Sequence, residues 1–147
     1  MKKILIISAT FYKHIADMLT DGAFVELKKA GYDYDLIEVP GVFEIPAAIA
    51  FAVESQKKNG QQIYDGYITL GCVIRGETTH YDYVCLESAR GINKLAMKEK
   101  LAIGYGILTV ENEQQALVRA DKNQKNKGGF VASACLEMIS LKGKFKI

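Results

Sequence analysis

Short apolar runs and helix-period stripes alternate along this chain from end to end, and that alternation restricts its fold more than any other feature. Ile4 to Ser8 is an almost unbroken apolar run, the pattern of a strand covered on both faces and therefore of a parallel sheet. Ile15, Leu19, Ala23 and Leu27 then recur every fourth residue, one stripe of a helix that ends near Gly31. A second strand, Tyr34 to Val39, stops at Pro40-Gly41, and Ile45, Ala48, Ile49, Ala52 and Val53 trace the next helical face, with Pro46 tolerated in its first turn. A third strand runs from Gly66 to Cys72. The polar segment Arg75-Gly76-Glu77-Thr78-Thr79 follows it, and Val84, Ala89, Ile92 and Ala96 mark another helix. Leu101 to Leu108 supplies a fourth strand. Thr109 is then placed to cap a helix, Glu111 and Glu113 to put negative charge in its first turn, and Arg119 near its end. After a loop rich in lysine and asparagine, 121–127, a last amphipathic helix carries Val131, Ala134, Cys135, Met138 and Ile139.

Alternation of this kind predicts an α/β fold: a three-layer α/β/α sandwich around a four-stranded parallel sheet with right-handed crossovers. The 147 residues, 49% of them hydrophobic, contain no long linker, low-complexity tract or repeat, so residues 1–147 are expected to form a single domain. In such folds ligands bind beyond the carboxyl ends of the strands. Four segments should therefore converge on one edge: Thr10-Phe11, Pro40 to Glu44, Cys72 to His80, and Tyr105 onward.

Composition excludes several function classes. Nineteen basic and seventeen acidic residues give a formal net charge of +2, so no global field points to nucleic acid or an anionic membrane, and any anion must be bound locally. Cys72, Cys85 and Cys135 are odd in number, widely spaced and without CxxC spacing; they read as reduced thiols rather than metal ligands. The opening 1–9 imitates a signal peptide, but its apolar run is short and Phe11-Tyr12-Lys13-His14 follows at once. No run approaches the roughly 20 apolar residues of a membrane span, and a cytoplasmic protein is expected.

His80, one of two histidines, lies just beyond a strand at an expected helix start, a position suited to a proton shuttle near neutral pH. The preceding Gly76-Glu77-Thr78-Thr79 offers free backbone N–H groups and two hydroxyls to a phosphate; the same residues equally suit a capping box or a solvated loop. His14 reads as a surface residue. Arg119 and Lys127 flank the basic loop and could complete an anion site, or simply complement a helix dipole. Glu44 could accept hydrogen bonds from a heterocycle or be an ordinary first-turn acid. Phe11, Phe43 and Tyr105, near three strand ends, could sandwich a flat ring or fill the core.

Val39-Pro40-Gly41-Val42-Phe43-Glu44-Ile45-Pro46 and Leu70-Gly71-Cys72-Val73-Ile74-Arg75-Gly76-Glu77-Thr78-Thr79-His80-Tyr81-Asp82-Tyr83-Val84 closely resemble two long, specific motifs of the lumazine synthase family. The resemblance continues through Gly106-Ile107-Leu108-Thr109, Glu111-Asn112, Arg119-Ala120, Asn126-Lys127-Gly128 and Leu136-Glu137-Met138. It implies a flavodoxin-like sandwich and an enzyme of riboflavin biosynthesis that joins 5-amino-6-(D-ribitylamino)uracil to 3,4-dihydroxy-2-butanone 4-phosphate without metal or redox cofactor. By motif, Phe11 would stack on the pyrimidine, and Val42, Phe43, Glu44, Cys72, Val73 and Ile74 would hold the uracil edge and ribityl chain. Tyr105 matches a usually aromatic contact. Glu77, Thr78 and Arg119 would bind the phosphate substrate, His80 would be the general acid/base, and Lys127 would lie near the same pocket. The family assembles as pentamers, sometimes packed into icosahedral shells, with sites between subunits.

Two departures are visible. Thr10-Phe11-Tyr12 stands where the family often has Arg-Phe-Asn, and Phe130 stands where an acidic residue is common three places after the lysine. Two rival functions share the layout. A receiver-type or flavodoxin-type module is disfavoured because Ser8-Ala9-Thr10 has neither an acidic cluster nor a glycine-containing hydroxyl-rich loop. A non-catalytic flavin- or lumazine-binding or shell protein is disfavoured by His80, Arg119, Thr78 and Glu44 occurring together.

Overall fold

The computed structural model describes residues 2–147; Met1, the first residue of the opening run, lies outside them. Four strands, β1 (Lys3–Ala9), β2 (Asp33–Val39), β3 (Gly66–Ile74) and β4 (Ile103–Val110), form one parallel sheet in the order β2-β1-β3-β4. The helices are α1 (Lys13–Lys29), α2 (Ile45–Asn59), α3 (His80–Lys98), α4 (Glu113–Ala120) and α5 (Lys127–Phe145), with a 3-10 turn at Val42–Glu44 ahead of α2. The expected sandwich and its four strands are present.

Strand periodicity divides the core in two. Ile4 and Ile6 of β1 face the layer of α1, α4 and α5 and pack with Ile15, Leu19, Ala116 and Val131. Leu5, Ile7 and Ala9 face the other way, onto Ile45 and Ile49 of α2 and Val84 and Ile92 of α3, because successive strand residues alternate sides. Each such isoleucine or leucine, withdrawn fully from water, stabilises the fold by about 1.5–3 kcal/mol. The edge strand β2 differs: Tyr34, Leu36 and Ile37 remain more than a third exposed.

The sheet order also creates a crevice. The chain leaves β1 for α1 on one face and leaves the adjacent β3 for α3 on the opposite face, so the two connections diverge above the carboxyl ends of β1 and β3. That divergence is where ligands enter doubly wound sheets. A close approach beneath it depends on Gly71: a Cβ there would stand 2.8 Å from Val42 Cγ2 and 3.1 Å from Ala9 Cβ.

Three local expectations need correction. Thr109 does not cap α4; it stays in the β4 ladder opposite Val73, and Asn112 caps instead, its Oδ1 accepting from the Gln115 N–H at 2.9 Å. The buried seam of α3 is Val84, Ser88 and Ile92 rather than a stripe through Ala89 and Ala96. Ser88 can occupy that seam because its hydroxyl donates to the Val84 carbonyl one turn earlier, which removes the cost of burying a polar group. Met138, read as part of the α5 face, is 43% exposed. Among the described residues no helix is long and apolar enough to cross a membrane.

Candidate active site

A cleft of about 660 Å³ opens at the crevice between β1 and β3. The end of β1 contributes Phe11 and Tyr12, and the turn after β2 contributes Pro40 to Glu44. The end of β3 and its loop supply Cys72, Val73, Ile74, Gly76 and Thr78, and α3 supplies His80, Tyr81 and Val84. Three of the four expected segments therefore meet.

Each is held by simple means. Thr10 donates to the Val39 carbonyl through its N–H (3.0 Å) and its hydroxyl (3.3 Å), tying the end of β1 to the end of β2. Phe11 is thereby turned outward, 74% exposed, with its ring edge-on to Tyr12 at a centroid distance of 4.9 Å. Val42 is buried above Gly71 and anchors the 3-10 turn, leaving Phe43 and Glu44 exposed at the rim. Glu44, one of the two readings of which was an ordinary first-turn acid, sits in that turn just ahead of α2. Its carboxylate accepts no hydrogen bond from another protein group among the described residues.

Cys72 forms part of the floor and is nearly buried. Burial pushes its thiol up to about 12, Cys85 adding a smaller effect, so the sulfur stays protonated and serves as surface, not as a nucleophile. The loop 76–79 is exposed throughout. Thr79 at the N-cap of α3 makes no side-chain cap bond, so the alternative of a capping box is not realised, and the Thr78 hydroxyl accepts from the His80 N–H at 3.3 Å. His80 opens α3 with its imidazole exposed beside this loop. Glu77 lies on the same loop but does not line the cleft.

Tyr105, Arg119 and Lys127 lie elsewhere. Tyr105 is the third residue of β4, opposite Thr69 in mid-strand, and so cannot reach the carboxyl edge as expected. It lines a separate groove of about 540 Å³ with Leu86, Ala89 and Ile103. Arg119 is in the last turn of α4, donating to the Gln115 carbonyl at 3.1 Å. Lys127 is the first residue of α5, capped by Asn126, and its Nζ stands 5.2 Å from the centre of the Phe130 ring. A ring face thus meets the lysine. Both cations belong to the layer of α1, whereas α3 with His80 belongs to the other. His14 is on the surface, its Nε2 2.9 Å from Glu113.

Tyr81 was overlooked as a cleft residue, and Val84 was read only as core. They are three apart on a helix and share a face, so an aromatic one residue after His80 carried the signal. Among the described residues no group of three His, Cys, Asp or Glu side chains comes together to hold a metal.

Comparison with known proteins matches residues 1–143 to the 6,7-dimethyl-8-ribityllumazine synthase family. A curated relative of that name from Bartonella henselae is 54% identical over 142 residues, 97% of this chain and 89% of the relative. One from Novosphingobium aromaticivorans is 53% identical over 145 residues, 99% of each chain. One from Paramagnetospirillum magneticum is 52% identical over 143 residues, covering 97% and 95%. The cleft, its motifs and these matches coincide, and the chain belongs to the 6,7-dimethyl-8-ribityllumazine synthase family.

Proposed function

We propose that this chain condenses 5-amino-6-(D-ribitylamino)uracil with 3,4-dihydroxy-2-butanone 4-phosphate to give 6,7-dimethyl-8-ribityllumazine, phosphate and water, as a step of riboflavin biosynthesis in the cytoplasm. The observation that carries this reading is the meeting of an outward aromatic ring, Phe11, an unpaired carboxylate, Glu44, and an exposed imidazole, His80, around one cleft from three separate segments. Family membership supports it.

In this reading Phe11 stacks on the pyrimidine, Glu44 accepts from ring N–H groups, and Val42, Phe43, Cys72, Val73 and Ile74 hold the ring edge and ribityl chain. Glu77 and Thr78 hold the phosphate substrate. The chemistry needs proton movement at each stage. The amine adds to the ketone and the carbinolamine loses water to an imine. Phosphate then departs with the C–O electron pair as a proton leaves carbon, and attack by the second amine with loss of water closes the ring. His80 donates and accepts these protons, and holding two substrates in one cleft supplies much of the remaining acceleration.

Among the described residues no lysine or arginine lines the cleft of one chain to meet the leaving phosphate. A homopentamer, alone or packed into a shell, resolves this by bringing Tyr105, Arg119 and Lys127 from one copy against the cleft of the next, where an arginine stabilises charge as it develops. The partners are then the two small molecules and further copies of the chain.

The test is absorbance and fluorescence on mixing purified protein with both substrates. Product formation well above the uncatalysed rate is expected; background-level product with pyrimidine binding intact would leave a non-catalytic lumazine- or flavin-binding protein instead.

A further inference from the structure

The loop 76–79 has little of its own to hold it. Its side chains are exposed, and its internal bonds are the 3.3 Å contact from the His80 N–H to Thr78 and the Asp82 N–H to the Thr79 carbonyl. Yet this loop carries Thr78 and delivers His80. Something outside it must fix where α3 begins.

Arg75 has the contacts to do so. Its backbone N–H donates to the Val110 carbonyl at 3.0 Å, extending the β3–β4 ladder by one residue. Its Nε donates to Glu111 at 2.8 Å in the connection after β4, and an Nη lies 3.4 Å from Asp82 in the first turn of α3. The guanidinium carbon stands 4.3 Å from the centre of the Tyr81 ring. Glu111 is itself held, its N–H donating to Gln115 Oε1 at 2.8 Å. One planar cation thus spans the loop, joining the residue before it to the two residues after His80 and to a neighbouring connection. It does not line the cleft; its guanidinium is engaged by Glu111, Asp82 and the Tyr81 ring instead.

We propose that Arg75 is a positioning residue for the condensation, fixing the loop 76–79 and the first turn of α3 so that Thr78 and His80 face the cleft. This rests on the reading of the cleft given above. A second effect follows from the same contacts. Asp82, three residues after the Thr79 N-cap, is placed to fold back as a capping-box acid; the pair with Arg75 instead draws its carboxylate outward. Thr79 supplies no side-chain cap and Asp82 does not close a capping box on the Thr79 N–H, so that amide and the Tyr81 N–H stay open to an anionic substrate group, while those of His80 and Asp82 are taken by Thr78 and the Thr79 carbonyl. Lysine cannot substitute, because it lacks the plane that stacks on Tyr81 and the fork that reaches two carboxylates at once.

The experiment compares Arg75→Ala and Arg75→Lys with the wild-type protein by steady-state kinetics, pyrimidine binding and amide hydrogen exchange. For Arg75→Ala, kcat should fall about ten- to a hundredfold through misplacement of His80, with a raised KM for the phosphate substrate and pyrimidine Kd within about twofold. Exchange should accelerate in 76–82 while β1 and β3 keep their protection. Arg75→Lys should recover less than half of the loss. Wild-type kinetics in Arg75→Ala, or unchanged exchange in 76–82, overturns the proposal, as does equal loss of pyrimidine binding and turnover. Should Arg75→Ala not fold, Glu111→Gln and Asp82→Asn each remove one partner at nearly constant volume, and unchanged loop exchange in both overturns it too. If wild-type protein makes no product, the functional reading fails, while the exchange data still decide whether Arg75 holds the loop.

Discussion

At the amino ends of the strands a set of polar side chains is committed to partners within the chain. Lys3 pairs with Asp35 at 2.9 Å, the Tyr64 hydroxyl donates to the same carboxylate at 2.6 Å, and Lys57 pairs with Glu99 at 2.6 Å. Gln56 donates to the Ala52 carbonyl and the Tyr67 hydroxyl while its Oε1 accepts from the N–H groups of Ile63 and Tyr64. At the carboxyl ends, Glu44, Glu77 and His80 have no side-chain partner among the described residues, although they sit on equally short connections. A polar group paired within the chain contributes to stability, and one left unpaired at a cleft is available to a ligand. At the carboxyl ends the two uses stand side by side, paired groups such as Arg75, Asp82 and Glu111 supporting unpaired ones at the cleft.

The contrast can be broken most sharply at His80. His80→Ala should lower turnover about a hundredfold or more, with little change in pyrimidine affinity; parallel rate and binding measurements check this, and equal losses would mark a structural histidine. The converse holds for Gln56. Gln56→Leu strands two backbone N–H groups and should cost about 2 kcal/mol in denaturant unfolding at matched protein concentration, with kcat unchanged; a fall in kcat would mean that the two ends are coupled.

A smaller effect is expected at Arg119, which belongs to neither end of its own sheet. Arg119→Ala should raise the KM for the phosphate substrate about tenfold, and a selective loss of pyrimidine affinity would contradict its role. Co-assembling Arg119→Ala with His80→Ala subunits should restore part of the activity, because some interfaces then pair an intact arginine with an intact histidine. The smallest effect is at Tyr64, whose hydroxyl is raised from 10.0 to about 12 by burial and then by its hydrogen bond to Asp35. A raised folded-state pKa means that its stabilisation is complete below pH 10 and fades as pH climbs toward about 12. Tyr64→Phe should flatten that alkaline limb when unfolding midpoints are compared across pH.

Much of this was legible in the sequence because it depends on short-range pattern. Ile4 to Ser8 reads as a doubly covered strand wherever the chain ends up, and Phe11, Glu44 and His80 follow strands, so parallel topology alone brings them to one edge. Thr109 misled because a threonine after an apolar run suits a cap as well as a ladder, and only pairing with Val73 decides between them. Tyr105 reads as lying at a strand end, but pairing with β3 carries β4 on to Val110 and leaves it in mid-strand. Arg119 and Lys127 could be drawn to an anion site by residue type and motif, but which face of the sheet their helices cover is a long-range property that periodicity does not carry. Arg75 was invisible as a clamp because its partners, Tyr81, Asp82 and Glu111, lie 6, 7 and 36 positions away with no repeating pattern to link them.

The missing side chain at Gly71 sets a dimension. Val42 rests directly on the β3 backbone there, and Phe43 and Glu44 ride on Val42, so the height of the rim above the floor is measured against bare main chain. A single methyl at that point would act as a shim, lifting the rim and with it the carboxylate of Glu44. Displacements of about 1 Å are enough to spoil a reacting geometry. The height of this rim is therefore written in an atom the chain does not have.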